Sequence, residues 1–389
     1  MISYGKQTID QSDIDSVIKI LKSDWLTQGP AVENFENGLK YIFGSKYACA
    51  VSNGTAALHL VAKVLNWSSG DIILTTPNTF LATANCIEYV GATVDFVDIN
   101  DENFTIDLNM LEEKIISYKN RGKKIKAVIA VDYAGHPCDW ESLKKIADRY
   151  EFQLINDNCH ALGASYNGDS RYAIKYANFV TQSFHPVKMI TTGEGGAVIT
   201  NDLESFKKLQ ILRSHGIIKD PKVIGNSHGP WYYEMHEIGY NYRITDFQCA
   251  LGSNQLNKLK QFVLKRRKIA ETYEDYFSNI VNIRTPSQGL NVIHAFHLYP
   301  LQINFKNTKI DKKTLFKKLF EHKINLQVHY MPIHLQPYYK NKYKFKKGEF
   351  PTAEKFYEQE ISLPIYPKLN RNDQIHIISI IKKLLDVSG

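Results

Sequence analysis

Cysteine is scarce in this chain, with five among 389 residues. The five are odd in number, far apart and mostly in apolar surroundings: Cys49, Cys86, Cys138, Cys159 and Cys249. This spacing excludes the paired patterns of a disulfide framework or a zinc site, so we expect free thiols in a core and no bound metal. Free thiols indicate a reducing compartment, and we therefore expect the protein in the cytoplasm.

Long apolar runs are absent as well. No stretch reaches the roughly 20 apolar residues that a membrane-spanning helix needs, and the first residues lack the pattern of a signal peptide. Internal repeats and low-complexity tracts are also missing. We therefore expect a soluble globular protein without a membrane partner, and the length suffices for two domains.

Positive charge is not concentrated in one place, although the net charge is +8. Lysine and arginine are scattered, and the densest group, residues 340–347, alternates with tyrosine and phenylalanine. Nucleic-acid-binding proteins usually carry a basic stripe on one face, so we expect no nucleic-acid partner. A mild attraction for anionic substrates is the favoured interpretation of the charge, and nucleic-acid binding stays open as an alternative.

Strands alternate with helices through the first 250 residues. Several predicted strands, such as residues 127–131, are apolar on both faces, which is typical of a parallel sheet covered by helices. We predict an α/β fold in which residues 1–250 form a large, mostly parallel sheet domain. A long helix from Asp246 to about Phe277 then leads to a smaller α+β domain at residues 251–389.

The smaller domain shows a different order of shorter elements. The sequence predicts in turn a strand, a helix, a strand and a closing helix, at residues 297–303, 312–322, 326–329 and 375–384.

Polar or glycine-containing stretches follow the predicted strands of the large domain. They are residues 52–55, 76–80, 132–136, 157–160 and 183–188. Because ligands of such sheets bind at the carboxyl ends of the strands, we expect these stretches to converge on one site. The first of them leads into a helix whose N-terminus suits a phosphate. A plain helix cap by Ser52 or Thr55 is the alternative for it.

Lys188 lies in the loop between two predicted strands, just before the glycine-rich stretch 193–196. Most loop lysines are simply solvated. A lysine that is partly desolvated can lose its proton and bond to a carbonyl carbon. A phosphate cradle, an aromatic residue, a carboxylate and such a lysine together fit pyridoxal phosphate, which needs a partner for its phosphate, ring, ring nitrogen and aldehyde.

With these motifs in place, the chain resembles the sugar aminotransferases of the DegT/DnrJ/EryC1/StrS family over almost its whole length. The resemblance rests on residues 4–7, 23–30, 131–135, 183–196 and 328–339. It implies the fold type I of pyridoxal-phosphate-dependent enzymes, which is that of aspartate aminotransferase. It also implies pyridoxal 5′-phosphate as cofactor and a homodimer with its active sites at the interface.

The resemblance assigns catalytic roles to three residues. Lys188 would bond to the cofactor aldehyde and move protons, and Asp157 would pair with the pyridinium nitrogen, with Asp132 as the next candidate. His160 would lie near the ring oxygen. Asp157 as a helix cap and His160 as a structural histidine are the alternatives. Met189 follows the lysine where the family often has asparagine, but the lysine itself favours transamination over dehydration.

Further cofactor contacts follow from the same resemblance. Gly54, Thr55 and Ser183 would hold the phosphate, and Asn241 would reach the phosphate of the partner subunit. Phe80 would stack on the ring, unless it is an ordinary core residue.

The motifs are most similar to those of family members in pseudaminic acid synthesis. That similarity implies transfer of an amino group from L-glutamate to C4 of a UDP-4-keto-6-deoxy-N-acetylhexosamine, giving UDP-4-amino-4,6-dideoxy-N-acetyl-β-L-altrosamine. Another nucleotide-4-keto-sugar substrate, or a non-catalytic regulator of the same fold, stays open.

Seven residues are placed around the nucleotide-sugar by this similarity. Trp25 could stack on uracil, and His329 and nearby lysines could meet the diphosphate. Ordinary packing is the alternative for all seven, which are Tyr4, Trp25, Leu26, Thr27, His329, Tyr330 and Tyr357.

Overall fold

The computed structural model describes residues 1–220, 222–225, 228–289 and 291–386. The strands within these ranges are β1 (Ile2–Ser3), β2 (Tyr47–Val51), β3 (Ile72–Thr75), β4 (Thr93–Phe96), β5 (Ile125–Val131), β6 (Gln153–Asp157), β7 (Ser165–Tyr166), β8 (Phe179–Ser183), β9 (Gly196–Thr200), β10 (Ile217–Ile218), β11 (Glu234–Met235), β12 (Ile283–Arg284), β13 (Val292–Ile293), β14 (Tyr299–Ile303), β15 (Ile324–Asn325) and β16 (Glu360–Leu363).

The helices of the same ranges are α1 (Gln11–Leu21), α2 (Pro30–Phe43), α3 (Gly54–Val64), α4 (Leu81–Glu88), α5 (Leu108–Asn120), α6 (Trp140–Tyr150), α7 (Tyr172–Tyr176), α8 (Leu203–Arg213), α9 (Asp246–Phe277), α10 (Lys312–Glu321), α11 (Pro337–Tyr343), α12 (Pro351–Gln359) and α13 (Arg371–Leu385). Among these described helices, none has the length and apolar content needed to cross a membrane.

The largest sheet has seven strands in the order β2-β9-β8-β6-β5-β3-β4. Neighbours from β8 to β4 pair in parallel, whereas β9 runs antiparallel to both β2 and β8. The strand β9 is reversed because the chain returns to it directly from the end of β8. The other six strands place their carboxyl ends at one edge, as the sequence predicts for the binding site.

Both faces of this sheet are covered by helices. In β5, Val128 and Ala130 belong to one apolar layer, and Ala127 and Ile129 to the other, because alternate residues of a strand point to opposite faces. The first layer includes side chains of α2, α5 and α6, and the second includes those of α3, α4 and α8. This packing explains why the strands are apolar throughout.

The C-terminal part is built on the antiparallel sheet β12-β14-β16. Helix α9 links it to the large sheet: Leu259 packs in a layer beside that sheet, whereas Tyr273 and Phe277 pack in the third apolar cluster, with β14. The N-terminal strand β1 also reaches this part and pairs in parallel with β15. Residue 250 lies inside α9, and the domain boundary at that residue stays a prediction.

The prediction of a strand at residues 326–329 is wrong. The strand in this region is β15, and Gln327 forms an isolated bridge with Ser362. The backbone N–H of His329 donates to the side chain of Glu360 at 3.0 Å. The N–H of His329 is thus bonded to a side-chain carboxylate and not to the backbone carbonyl of a neighbouring strand.

Candidate active site

A cavity of about 850 Å³ lies at the carboxyl edge of the large sheet. Ten of the residues predicted from the sequence line it, and they come from six separate stretches of the chain. They are Tyr4, Gly54, Thr55, Phe80, Asp157, His160, Ser183, Lys188, His329 and Tyr330. Four of the five stretches expected to converge therefore do so within one chain, whereas the fifth, residues 132–136, does not line the cavity.

The first turn of α3 lies against the end of β8. A Cβ atom on Gly54 would come within 2.8 Å of Cβ of Ser183, so only glycine allows this approach. The helix is capped by Asn53, whose side chain accepts from the N–H of Ala56 at 2.8 Å. The alternative of a cap by Ser52 or Thr55 is therefore wrong, and the N-terminal N–H groups of α3 remain suited to a phosphate.

Lys188 projects from a loop whose ends are joined by backbone hydrogen bonds. The N–H of Phe184 donates to Gly195 at 2.8 Å, and that of Thr192 donates to Phe184 at 3.0 Å. Lys188 is half-buried at the cavity wall. Burial lowers the pKa of its amine, whereas the nearby Cys159 and Asp157 act in the opposite direction. A lowered pKa favours the neutral amine that a nucleophile requires.

Asp157 is buried at the end of β6. One carboxylate oxygen accepts from Thr83 Oγ1 at 2.7 Å and the other accepts from the N–H of Cys159 at 3.3 Å. Residues 158–163 form turns rather than a helix, so the helix-cap alternative for Asp157 is wrong. The result is an oriented anion in the cavity wall, suited to a cationic ring nitrogen.

Asp132, the second candidate for that role, has a different environment. It is fully buried at the end of β5, and it does not line the cavity. Its carboxylate accepts five hydrogen bonds of 2.7–3.1 Å, from Cys138, Trp140, Asn156, Asn158 and Tyr172. These donors leave it no role toward a ligand, and they tie together the loops behind the site.

His160 is neutral and oriented by its neighbours. Its Nδ1 accepts from the N–H of Ala134 at 3.2 Å, so the ring proton is on Nε2, which donates to Tyr330 Oη at 3.2 Å. Burial and the charge of Lys188 hold the pKa of His160 well below its usual value. Phe80 lies 6.0 Å from the Tyr330 ring, between ring centroids, and is 55% exposed, so its alternative role in the core is wrong.

His329 also lines the cavity and is neutral. Burial, with a smaller effect of the charge on Lys188, lowers its pKa to about 3. The expectation that it meets a diphosphate stays a prediction, although a neutral imidazole would bring no positive charge to such a contact. Its Nδ1 is 2.8 Å from Ser362 Oγ, and Ser362 is 2.5 Å from Glu360 Oε1.

Five predicted residues do not line the cavity of the single chain. Trp25 and Leu26 are 54% and 47% exposed. Thr27 forms a bridge with Thr245, and Asn241 forms one with Ser214. Their proposed contacts with ligand therefore stay predictions.

Tyr357 is the fifth of these residues. Its carbonyl accepts from Lys312 Nζ at 2.5 Å, and the same amine lies 5.0 Å from its ring centroid. The charge of Lys312 in turn acts to lower the pKa of Glu360.

Sequence reasoning missed several residues of the site. Thr83 is three positions after Phe80 in the first turn of α4, a spacing that could have indicated it. His297, whose ring is 4.4 Å from that of His160, also lines the cavity. Glu360 and Ser362 are buried behind the wall, and nothing in their local sequence marks them.

Comparison with known proteins identifies the family. The model of the DegT/DnrJ/EryC1/StrS aminotransferase family matches residues 7–382. The chain belongs to this family. This aminotransferase is 39% identical over 374 residues to the UDP-4-amino-4,6-dideoxy-N-acetyl-beta-L-altrosamine transaminase of Campylobacter jejuni. The alignment covers 96% of this chain and 94% of that protein.

Solved structures agree with this assignment. Helicobacter pylori PseC, an aminotransferase involved in the biosynthesis of pseudoaminic acid, has a TM-score of 0.90 and 32% identity over 100% of both chains. The PLP form of the sugar aminotransferase Spr1654 from Streptococcus pneumoniae has a TM-score of 0.89 and 28% identity over 99% of both chains. Together these matches confirm the predicted family, the fold, the aminotransferase activity and the pyridoxal phosphate cofactor.

Proposed function

We propose that this aminotransferase transfers an amino group from L-glutamate to C4 of a UDP-4-keto-6-deoxy-N-acetylhexosamine. The product is then UDP-4-amino-4,6-dideoxy-N-acetyl-β-L-altrosamine, an intermediate of pseudaminic acid synthesis. The observation that carries this proposal is the full-length similarity to the C. jejuni transaminase, combined with a cavity that keeps the lysine, carboxylate and phosphate cradle together. Location of the protein in the cytoplasm, a reducing compartment, also stays a prediction.

The residues of the cavity fit pyridoxal phosphate. Gly54, Thr55 and Ser183 line the space at the N-terminus of α3, where the glycine keeps the backbone open to a phosphate. Asp157 offers an oriented anion to the ring nitrogen, and Lys188 offers an amine to the aldehyde. When bound, this cofactor supplies the carbonyl that accepts the amino group and the ring that delocalises charge from the reacting carbon.

The protein residues then have to move protons. Lys188 has a lowered pKa, so its neutral amine can take the proton from Cα of the amino donor. As an ammonium it can return the proton to C4 of the sugar. The neutral His160 donates to the hydroxyl of Tyr330 and thereby holds that hydroxyl in a fixed place. No other lysine lines the cavity among the described residues.

One cavity has to admit two substrates in turn, because the amino group stays with the enzyme between them. A volume of about 850 Å³ is within the range of sites for ligands of this size. The exposed ring of Phe80 leaves part of the cavity open at its mouth. Such an opening supports exchange of a small dicarboxylate for a larger nucleotide-sugar.

The test separates the two stages. Cofactor-loaded enzyme is treated with glutamate, freed of the excess, and given one UDP-4-keto sugar from a panel, with products identified by mass and by NMR. About one amino sugar per site should form from the 6-deoxy-N-acetylhexosamine, aminated at C4. Lys188→Ala, the control, should form none. A requirement for both substrates together, or amination at another carbon, would contradict the proposal.

Two alternatives give other outcomes of the same experiment. Preference for a different 4-keto sugar in the panel would indicate another nucleotide-sugar aminotransferase. A regulator of the same fold would leave every sugar unchanged, even with fresh cofactor and glutamate. The lowered pKa of Lys188 and the oriented carboxylate of Asp157 favour the enzyme.

A further inference from the structure

A buried group of three polar side chains lies behind one wall of the cavity. His329 lines the cavity and is 5% exposed, whereas Ser362 and Glu360 are inaccessible in β16. Aminotransferase chemistry does not itself require a carboxylate at this depth. A buried carboxylate costs free energy unless its partners compensate for the lost hydration. The role of Glu360 therefore follows from its hydrogen-bond partners.

The hydrogen bonds run in one direction when Glu360 is ionised. Its Oε2 accepts from the backbone N–H of His329 at 3.0 Å, and its Oε1 accepts from Ser362 Oγ at 2.5 Å. Because the hydroxyl proton of Ser362 is given to Glu360, its oxygen accepts from His329 Nδ1 at 2.8 Å. The imidazole therefore carries its proton on Nδ1, and Nε2 keeps a lone pair.

The state of Glu360 depends on the groups around it. Burial raises its pKa to about 7, whereas the bonds from Ser362 and His329 and the charge of Lys312 act the other way. The neighbouring Tyr133 is neutral, with a pKa well above its usual value. At pH 8 and above, the carboxylate form and the resulting tautomer of His329 predominate.

The ring of His329 is held in place on its other sides. Its centroid is 5.1 Å from that of Tyr4 and 4.9 Å from that of Tyr330. The hydroxyl of Tyr133 donates to its backbone carbonyl. Within the part of the chain that the structure describes, no residue hydrogen-bonds to Nε2. This acceptor is thus the polar atom that His329 leaves for a ligand in the cavity.

We infer that His329 recognises the sugar of the keto substrate as a hydrogen-bond acceptor, and that Glu360 and Ser362 are positioning residues that set this polarity. The donor is a hydroxyl or an acetamido N–H of the sugar. Glutamate is the poorer partner, because its carboxylates are themselves acceptors and would face a lone pair. The inference rests on the proposed nucleotide-sugar function and adds a selectivity device to it.

Glu360→Gln should reverse the direction of these hydrogen bonds while keeping the size and shape of the side chain. The new amide can donate to Ser362, whose hydroxyl then donates to Nδ1 and shifts the ring proton to Nε2. Histidine side-chain ¹⁵N NMR of labelled holoenzyme at pH 8 should show the Nδ1–H form in wild type and the Nε2–H form in the variant. A His329→Gln sample assigns the signal.

Kinetics at the same pH measure the consequence. For Glu360→Gln we expect the KM of the UDP-4-keto-6-deoxy-N-acetylhexosamine to rise on the order of tenfold, whereas the KM of glutamate should not rise, because its carboxylates can accept from the new N–H. Ser362→Ala removes the link and should give a smaller rise, which keeps the test available if Glu360→Gln folds poorly. Substrate analogues that lack the neighbouring hydroxyl, or the acetamido N–H, identify the donor group. The analogue that lacks the true donor should have the same KM with wild type and with Glu360→Gln.

Glu354→Gln is the matched control. Glu354 is another buried glutamate bonded to a histidine, with its Oε1 2.9 Å from His334 Nε2, but neither residue lines the cavity. This variant should keep both KM values. An Nε2–H signal in wild type, or equal KM changes for both substrates in Glu360→Gln, would overturn the inference. If wild type aminates no keto sugar, the proposed function fails first, and the inference loses its ligand with it.

Discussion

At the scale of single residues, two buried aspartates differ in whether they reach the cavity. Asp157 lines the cavity and has two partners, so its carboxylate keeps acceptor capacity for a ligand. Asp132 has five donors and does not reach the cavity. Both lie at the carboxyl end of a parallel strand, so this position does not distinguish them. Only their hydrogen-bond partners do.

Amide substitutions should separate the roles of the two aspartates. Asp157→Asn removes the anion that the ring nitrogen needs, and we expect turnover to fall on the order of a hundredfold, with stability nearly unchanged. Asp132→Asn turns an NH2 group toward donors and should lower the free energy of unfolding by about 1–3 kcal/mol. Steady-state kinetics and urea denaturation of both variants measure this. The reverse assignment of the two effects would exclude Asp157 as the partner of the ring nitrogen.

Glu360 should also make stability depend on pH. Burial raises its pKa in the folded state from 4.5 to about 7, so folding favours the protonated form. Its contribution to stability is therefore complete below about pH 4.5 and is lost as the pH rises through about 7. The stability of wild type relative to Glu360→Gln should fall by roughly 1–3 kcal/mol between pH 5 and pH 8. Parallel urea titrations at both pH values test this, and a constant difference would contradict the raised pKa.

At the scale of elements, the site depends on how closely α3 approaches the strands β8 and β9. A Cβ atom on Gly54 would meet Ser183, and one on Gly196 would lie 2.4 Å from the carbonyl oxygen of Asn53. The two glycines let the helix N-terminus and the strand ends share one small space. The phosphate cradle is thus a property of packing between elements as much as of the helix itself.

Gly54→Ala should disturb this cradle. The added methyl group must push Ser183 or the helix away, so we expect the Kd for pyridoxal phosphate to rise on the order of tenfold or more. Fluorescence titration of the apo enzyme with the cofactor measures it. Gly225→Ala serves as the control, because a Cβ atom there has no neighbour within 4 Å. Equal affinities in both variants would place the phosphate elsewhere.

At the scale of the whole molecule, a single chain does not bring every predicted site residue to the cavity. Asn241 is exposed, pairs with Ser214 and does not line the cavity of its own chain. Trp25 and Leu26 are exposed at the segment that precedes α2. A homodimer in which each chain completes the site of the other stays a prediction.

Mixed dimers test that arrangement. Lys188→Ala and Asn241→Ala should each be inactive as homodimers. In a hybrid of the two, one site carries both defects and the other carries neither, so random exchange should restore roughly a quarter of wild-type turnover. Native mass spectrometry confirms the exchange. If exchanged samples stay inactive, Asn241 does not act in the partner's site.

The sequence by itself determined the family, the alternation of strands and helices, and the cavity residues at strand ends, such as Lys188, Asp157 and Ser183. These follow from local pattern, because parallel strands bring their carboxyl ends to one edge wherever they lie in the chain. Only the tertiary structure decided which of the two carboxylates lines the cavity and that Thr83 donates to it. It also placed Ser362 and Glu360 behind His329, the arrangement on which the proposed acceptor role rests. Such details depend on burial and on hydrogen bonds between residues far apart in sequence, and local spacing carries no information about them.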